Sequence, residues 1–146
     1  RNIAIREAHG EWLAVLDADD VIHPDRSRIL IEAADQAQAE LVADEIVRFE
    51  DGGCPAFIPM TQAPAPAVII EAETWITNNF LLGGRRNYGF WKPMLRSLTV
   101  KRMGIAYDEQ LRIGEDYIFV LALLAAGTRF VHVGRGFYGY RQRSGS

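Results

Sequence analysis

The sequence predicts an α/β fold in a single domain over residues 1–146, with a mixed sheet flanked by helices. An apolar run of strand length ends at a cluster of acidic residues, and segments of helical period alternate with segments of strand character. Near the C-terminus, a strongly apolar helical segment leads into a further strand. With 146 residues, of which 49% are apolar, the chain is long enough for one hydrophobic core.

The first half of the chain alternates helix and strand. Arg1–His9 places apolar residues at helical spacing, and Gly10 ends this short helix. The continuous apolar run Trp12–Leu16 is typical of a strand that is buried on both faces. The helix expected over residues 24–38 begins at a proline, which suits a first helical turn, and the alternation in Leu41–Phe49 predicts a second strand.

Turn-forming residues divide the second half into shorter elements. The predicted elements are, in order, an irregular loop at Pro55–Pro66, a short strand at Val68–Ile70, a helix at Glu71–Leu82, a flexible connection at Gly83–Gly89, a helix around Met94–Met103, a helix that opens at Gly114 and ends at Gly127, a strand at Thr128–Val133 and an extended piece at Phe137–Arg141. His132 lies inside an apolar strand, so we interpret it as a packing residue.

Composition excludes several classes of function. The net charge is −3 and the charges are scattered, so no basic surface is expected to gather nucleic acid. The single cysteine, Cys54, has no partner for an internal disulfide, which suits a reducing cytoplasm. The longest apolar stretch, Ile118–Ala126, is about half the ~20 residues that a membrane-spanning helix needs. These features favour a soluble cytoplasmic protein.

Two aspartates follow the first predicted strand at a spacing that suits a cation. Asp17 and Asp19 are two residues apart, so in extended backbone their carboxylates project to the same side. The carboxyl end of a strand is where open α/β sheets place ligands, and such oxygen ligands favour Mg²⁺ or Mn²⁺ bridged to substrate phosphates. The alternative is a solvated acidic turn, residues 17–20, that caps the following helix.

A second acidic pair stands at the head of the late apolar helix. Glu115 and Asp116 follow Gly114, and acidic residues are common in a first helical turn because the helix dipole stabilises them. The functional interpretation is that one of the pair is a general base that removes the proton of an attacking hydroxyl group. Asp116 is the candidate base, with Glu115 as its neighbour.

Three blocks of the sequence together resemble family 2 glycosyltransferases. The blocks follow one another in the family's order and spacing, and they extend over nearly the whole chain. They are Arg1-Asn2-x-Ala4-x-x-x-Ala8-x-Gly10-Glu11-Trp12 running into Leu16-Asp17-Ala18-Asp19-Asp20, then Gly114-Glu115-Asp116-Tyr117, and finally the aromatic and basic tail Tyr138-Gly139-Tyr140-Arg141-Gln142-Arg143-Ser144-Gly145-Ser146.

The resemblance implies a GT-A type, Rossmann-like fold and inverting transfer of a sugar from a nucleotide-diphosphate donor, most often a UDP-sugar. By motif match, Asp17 contacts the donor ribose or the metal, Asp19 binds the metal, and Asp116 is the base. Arginine side chains match phosphate oxygens, so Arg141 and Arg143 are candidates for the diphosphate, with a solvated tail as the alternative.

The segment around Trp91 and Lys92 falls where relatives shape the acceptor site. The resemblance therefore assigns both residues to substrate binding, with Trp91 stacking on a sugar face. A tryptophan packed in the core is the alternative for Trp91. Resemblance to exopolysaccharide and cell-surface glycan transferases further implies a glycan or lipid-linked acceptor, with peripheral contact at the cytoplasmic face of the membrane.

The family's front half, which holds the nucleotide base, has no counterpart in this sequence. We therefore expect the chain to be the C-terminal catalytic and acceptor-binding portion of a transferase. Its sheet is expected to expose a strand edge that a homodimer or further residues would cover. Two other functions fit the residues: a haloacid dehalogenase-like phosphatase with Asp17 as nucleophile, and a non-catalytic fragment that binds a partner.

Overall fold

The computed structural model describes residues 1–57, 66–79 and 88–143. Predicted features at residues 58–65, 80–87 and 144–146 lie outside this part of the chain. The elements are, in order, α1 Asn2–Glu7, β1 Trp12–Ala14, β2 Val21–Ile22, α2 Arg26–Ala37, β3 Leu41–Glu50, β4 Ala67–Ile69, α3 Ala72–Asn78, a 3₁₀ turn at Tyr88–Phe90, β5 Met94–Arg96, α4 Ser97–Met103, α5 Glu115–Ala125 and β6 Phe130–Gln142.

All six of these strands belong to one mixed sheet. The order is β1-β5-β3-β6-β2, and β4 also pairs with β6. The two long central strands, β3 and β6, are parallel, and the other pairings are antiparallel. The predicted mixed α/β architecture is therefore confirmed.

Helices cover both faces of the central strands. On one face, α3 and α5 pack Trp75 and Phe119 against Leu41 and Phe130. On the other face, α2 presents apolar residues at helical spacing, including Leu30 and Ala34, to the sheet. Neighbouring residues of β3 and β6 point to opposite faces, so both strands contribute to both clusters.

The first strand is not the interior strand that its sequence predicts. β1 spans only Trp12–Ala14 and lies at the edge of the sheet, where β5 is its one partner. Leu16, beyond its end, is 52% exposed. Within the described chain, β1 is therefore one of the two terminal strands of the sheet, with β2 at the other end.

Two further predictions are corrected by sheet pairing. Met94–Arg96 forms β5 between β1 and β3, so the helix expected around Met94 begins only at Ser97. The segments at Thr128–Val133 and Phe137–Arg141 are one continuous strand. Register shifts against β3 around Glu45 accommodate the extra residues of β6 and let the strand continue.

Gly136 allows β6 to pass close to β3 at this irregular region. A Cβ at this position would lie 2.6 Å from Val47 Cγ2 and 3.1 Å from the Glu45 carbonyl oxygen. We expect Gly136→Ala to lower the free energy of unfolding by about 1–3 kcal/mol, because the added methyl overpacks the sheet. Urea denaturation measures the loss, and adding Val47→Ala should recover part of it. An unchanged midpoint for Gly136→Ala would contradict this account.

Across residues 1–57, 66–79 and 88–143, no helix combines the length and the apolar character needed to cross a membrane.

Candidate functional site

The candidate site lies where the segment after β1 meets the N-terminus of α5. Lys92, in the segment before β5, joins the two: its Nζ lies 2.9 Å from Asp17 Oδ2 and 3.5 Å from Asp116 Oδ2. Both carboxylates thus contact one ammonium group, whose side chain is only 8% exposed. The two acidic motifs, about a hundred residues apart in the sequence, face one another in the fold.

Arg1 forms a second bridge across the same cluster. Its Nη1 lies 2.6 Å from Asp116 Oδ1 and 3.0 Å from Glu115 Oε1, and its Nη2 lies 4.0 Å from Asp17 Oδ1. Asp116 is therefore held through both carboxylate oxygens, by Arg1 on one and by Lys92 on the other. Two basic and three acidic side chains make up this cluster.

The aspartates after β1 divide into one that anchors the loop and two that face outward. Asp20 accepts hydrogen bonds from the Tyr138 hydroxyl at 2.7 Å and from the Arg141 backbone N–H at 2.9 Å. The same hydroxyl accepts the Asp17 N–H at 3.1 Å. Burial raises the pKa of Tyr138, and its bond to Asp20 acts in the same direction. Asp20 thus ties the loop to β6, rather than capping α2.

Asp17 and Asp19 keep more exposed carboxylates, with side chains that are 36% and 40% exposed. Asp19 pairs with Arg143, whose Nη2 lies 2.9 Å from its Oδ2. Arg141 contacts a different acid, Asp51, at 3.1 Å. The structure therefore brings one of the two predicted arginines to the aspartate pair.

A buried ion pair supports the site from beneath. Arg26 of α2 and Asp44 of β3 are each 1% exposed, and Arg26 Nη2 lies 2.8 Å from Asp44 Oδ1. The same Nη2 donates to the Lys92 carbonyl oxygen at 2.5 Å. The Phe137 N–H donates to Asp44 Oδ2 at 2.8 Å. Lys92 is thereby fixed through its backbone while its side chain reaches the two carboxylates.

Comparison with known proteins gives the family. The model of glycosyl transferase family 2 matches residues 1–91. This range includes Asp17 and Asp19 and ends at Trp91, one residue before Lys92. This match covers more than half of the chain. The chain belongs to glycosyltransferase family 2.

Two sequence relatives of this family 2 chain are succinoglycan biosynthesis proteins of a bacterium. It is 36% identical over 148 residues to the succinoglycan biosynthesis protein ExoO of Rhizobium meliloti (strain 1021), covering 100% of this chain and 42% of ExoO. It is 33% identical over 143 residues to ExoU of the same organism, covering 89% of this chain and 38% of ExoU. The chain therefore spans about two fifths of the length of these relatives.

Solved structures confirm the GT-A-like fold. The crystal structure of S. aureus TarS residues 1–349 with UDP superposes with a TM-score of 0.68 at 20% identity, over 97% of this chain and 39% of that one. The complex of TarS with UDP-GlcNAc gives a TM-score of 0.67 at 19% identity, over 99% and 38% of the two chains. Membership of glycosyltransferase family 2 contradicts the phosphatase family that Asp17 also suggested.

Two residues of the family 2 chain belong to the core rather than to an open surface. Trp91 is 5% exposed, and its ring stacks between Tyr88 at 3.9 Å and His132 at 4.0 Å. Both faces of the Trp91 ring are covered, an arrangement that favours the core interpretation over stacking on a sugar. His132 is the packing residue that its sequence predicted.

Sequence reasoning gave no role in the site to three side chains: Arg1, Arg26 and Asp44. Arg1 lies within the first resembling block, which was its only signal. The sequence gave no signal for the Arg26–Asp44 ion pair, because a charged residue in an amphipathic helix normally marks the solvent face. Among the described residues, no group of three or more His, Cys, Asp or Glu side chains is arranged to hold a metal ion.

Proposed function

We propose that this chain supplies the catalytic and acceptor-side part of a metal-dependent, inverting glycosyltransferase of polysaccharide biosynthesis. The observation that carries the proposal is the convergence of Asp17 and Asp116 on the buried Lys92 ammonium. These two carboxylates belong to the candidate donor-binding motif and to the candidate base. The reacting sugar is proposed to bind beside this cluster.

In the proposed reaction, Asp116 accepts the proton of an acceptor hydroxyl group as that oxygen attacks the anomeric carbon. The bond from this carbon to the nucleotide diphosphate breaks as the new glycosidic bond forms. Attack from the side opposite the leaving group inverts the configuration, and no covalent enzyme intermediate is formed. Lys92 contacts both Asp17 and Asp116 and is proposed to contact the substrate.

Asp17 and Asp19 fit Mg²⁺ or Mn²⁺ in their chemistry. A divalent cation of this kind binds through one or two carboxylates together with substrate phosphates, so two exposed aspartates suffice when a diphosphate supplies the remaining oxygens. When bound, the metal would neutralise charge on the diphosphate. Arg143, which pairs with Asp19, is proposed to bind the diphosphate. Arg141 is also proposed to bind it, although its guanidinium pairs with Asp51 rather than with Asp17 or Asp19.

A UDP-sugar is the proposed donor, supported by the crystal structures of TarS, which are complexes with UDP or UDP-GlcNAc. The names of ExoO and ExoU support a polysaccharide acceptor, free or lipid-linked. We place the protein in the cytoplasm, at the inner face of the membrane. A second copy of the chain is proposed to cover the exposed β1 edge.

Calorimetry of UDP binding in the presence of Mn²⁺ tests the metal site. We expect binding to the wild-type chain and its loss in Asp19→Ala, because that variant removes a carboxylate proposed to hold the metal. Asp35→Ala is the matched control: this aspartate lies on α2 and pairs with Arg96 at 2.8 Å, away from the site. Indistinguishable traces for wild type and Asp19→Ala would instead favour a non-catalytic fragment.

A further inference from the structure

The short helix α1 is held in place at both of its ends by polar contacts. It has six residues, none of which is buried, and Ile5 packs only in part against the core. At its C-terminal end, Lys101 Nζ of α4 donates to the Ala8 carbonyl oxygen at 2.5 Å. At its N-terminal end, the side chains of Arg1 and Asn2 reach α5 and the segment before it. Because so short a helix is marginal without tertiary contacts, these polar contacts help to define its position.

Asn2 holds the segment that leads into α5. Its Nδ2 donates to the Tyr107 carbonyl oxygen at 2.9 Å, and the Tyr107 N–H donates to Asn2 Oδ1 at 2.9 Å. Nδ2 also donates to Glu109 Oε1 at 2.9 Å. The Tyr107 ring in turn stacks on Phe119 of α5, with 4.2 Å between the ring centroids. Since one amide pairs with both backbone groups of Tyr107, it fixes the start of α1 relative to α5.

Arg1, the chain neighbour of Asn2, contacts the candidate base from this fixed point. Its guanidinium carbon lies 5.3 Å from the centre of the Tyr107 ring, and its Nη1 donates to Asp116 Oδ1 at 2.6 Å. Lys92 Nζ contacts the other oxygen of Asp116 at 3.5 Å. Contacts to both oxygens fix the rotation of the carboxylate. Its remaining lone pairs can still accept a hydrogen bond from a hydroxyl group.

We propose that Arg1 and Asn2 are positioning residues for sugar transfer: Arg1 orients the Asp116 carboxylate toward the acceptor hydroxyl group, and Asn2 acts through Arg1 by holding it in place. The inference rests on the proposed function, in which Asp116 is the base. The hydrogen bonds of Asn2 are to Tyr107 and Glu109, so its effect on the carboxylate is indirect. Loss of Asn2 lets Arg1 shift, whereas loss of Arg1 removes the group through which Asn2 acts.

The test measures steady-state transfer from a UDP-sugar by Asn2→Ala, by Arg1→Gln and by the double variant. We expect kcat to fall by about 10- to 100-fold in each single variant, since a displacement of about 1 Å at a reacting group can cost that much. The double variant should lose no more than Arg1→Gln alone, because both changes act on one contact. The donor KM of Asn2→Ala should stay unchanged. Lys101→Met is the matched control: it loosens the opposite end of α1, so its kcat should stay close to that of wild type.

An unchanged kcat in either single variant would overturn the proposal. Losses that multiply in the double variant, or an equal loss in Lys101→Met, would overturn it as well, because Asn2 would then act independently of Arg1 or only by stabilising α1. The Arg1 side chain is 38% exposed, so its replacement spares the core. Arg1→Gln against Lys101→Met therefore decides the question even if Asn2→Ala does not fold.

If the wild-type chain transfers no sugar, the proposed function fails, and the positioning contact is judged by the carboxyl ¹³C resonance of Asp116 in aspartate-labelled protein. Disappearance of the signal in Asp116→Asn assigns it. Movement in both Asn2→Ala and Arg1→Gln, but not in Lys101→Met, supports the contact between α1 and the carboxylate. A signal that stays in place in Asn2→Ala refutes it.

Discussion

Asp116→Asn is expected to reduce sugar transfer by about 10²- to 10⁴-fold, the usual contribution of a general base. Asparagine keeps the size of the side chain and one oxygen, so the packing of the first turn of α5 should persist. The amide does not accept the acceptor proton at neutral pH. Donor binding should remain, because the metal and diphosphate are assigned to the loop that follows β1 and to the tail after β6.

Paired measurements separate these two effects. Calorimetry with UDP and Mn²⁺ reports donor binding, and single-turnover transfer reports chemistry. Glu115→Gln is the informative comparison, since Glu115 contacts Arg1 at 3.0 Å, whereas the ion pairs of Lys92 in the described chain are with Asp17 and Asp116. We expect it to lose less activity than Asp116→Asn. Turnover near the wild-type rate in Asp116→Asn would remove Asp116 from its assigned role.

Local sequence patterns predicted most helices and strands. They did not predict the position of β1 in the sheet or the strand pairing of Met94–Arg96. The run Trp12–Leu16 is apolar enough for an interior strand, yet β1 lies at the edge of the sheet. Burial of a strand depends on which strands flank it, and that is decided by pairings distant in sequence. Met94–Arg96 was likewise assigned to a helix, although pairing with both β1 and β3 makes it a strand.

The acidic motifs of the site were predictable because their chemistry is visible in short stretches. Asp17 and Asp19 follow a strand, and Asp116 opens a helix, so each has a local signature. The side chains that contact these aspartates have no such local signature. Arg1 reaches Asp116 across 115 positions of sequence. Only the folded chain shows that Arg1 and Lys92 contact the same carboxylate.

The contacts of the site differ between its buried and its exposed residues. Lys92 is anchored by its carbonyl to Arg26, and Asp20 is anchored to β6 by both oxygens. Asp17 and Asp19 lie on the outer side, where exposed carboxylates can exchange partners. Binding of a donor at Asp19 is expected to rearrange the surface ion pair of Asp19 with Arg143.

Breaking the buried ion pair is expected to give the largest loss of stability. Arg26→Met keeps the length of the side chain but leaves Asp44 as an unpaired buried charge, which typically costs about 3–5 kcal/mol. Burial raises the pKa of Asp44, and the Arg26 guanidinium counters that effect; once Arg26 is removed, the burial effect is no longer opposed. Urea denaturation monitored by circular dichroism measures the change.

Two further variants separate the charge effect from lost packing. Arg28→Met removes an arginine of the same helix whose ion pairs with Asp25 and Glu32 are exposed, so its midpoint should not change measurably. Arg26→Met combined with Asp44→Leu should recover much of the loss, because an apolar pair replaces a buried charge. If the double variant is as unstable as Arg26→Met, the loss of stability comes from the missing hydrogen bond between Arg26 and the Lys92 carbonyl oxygen. The main contribution of Arg26 would then be to hold the Lys92 backbone in place.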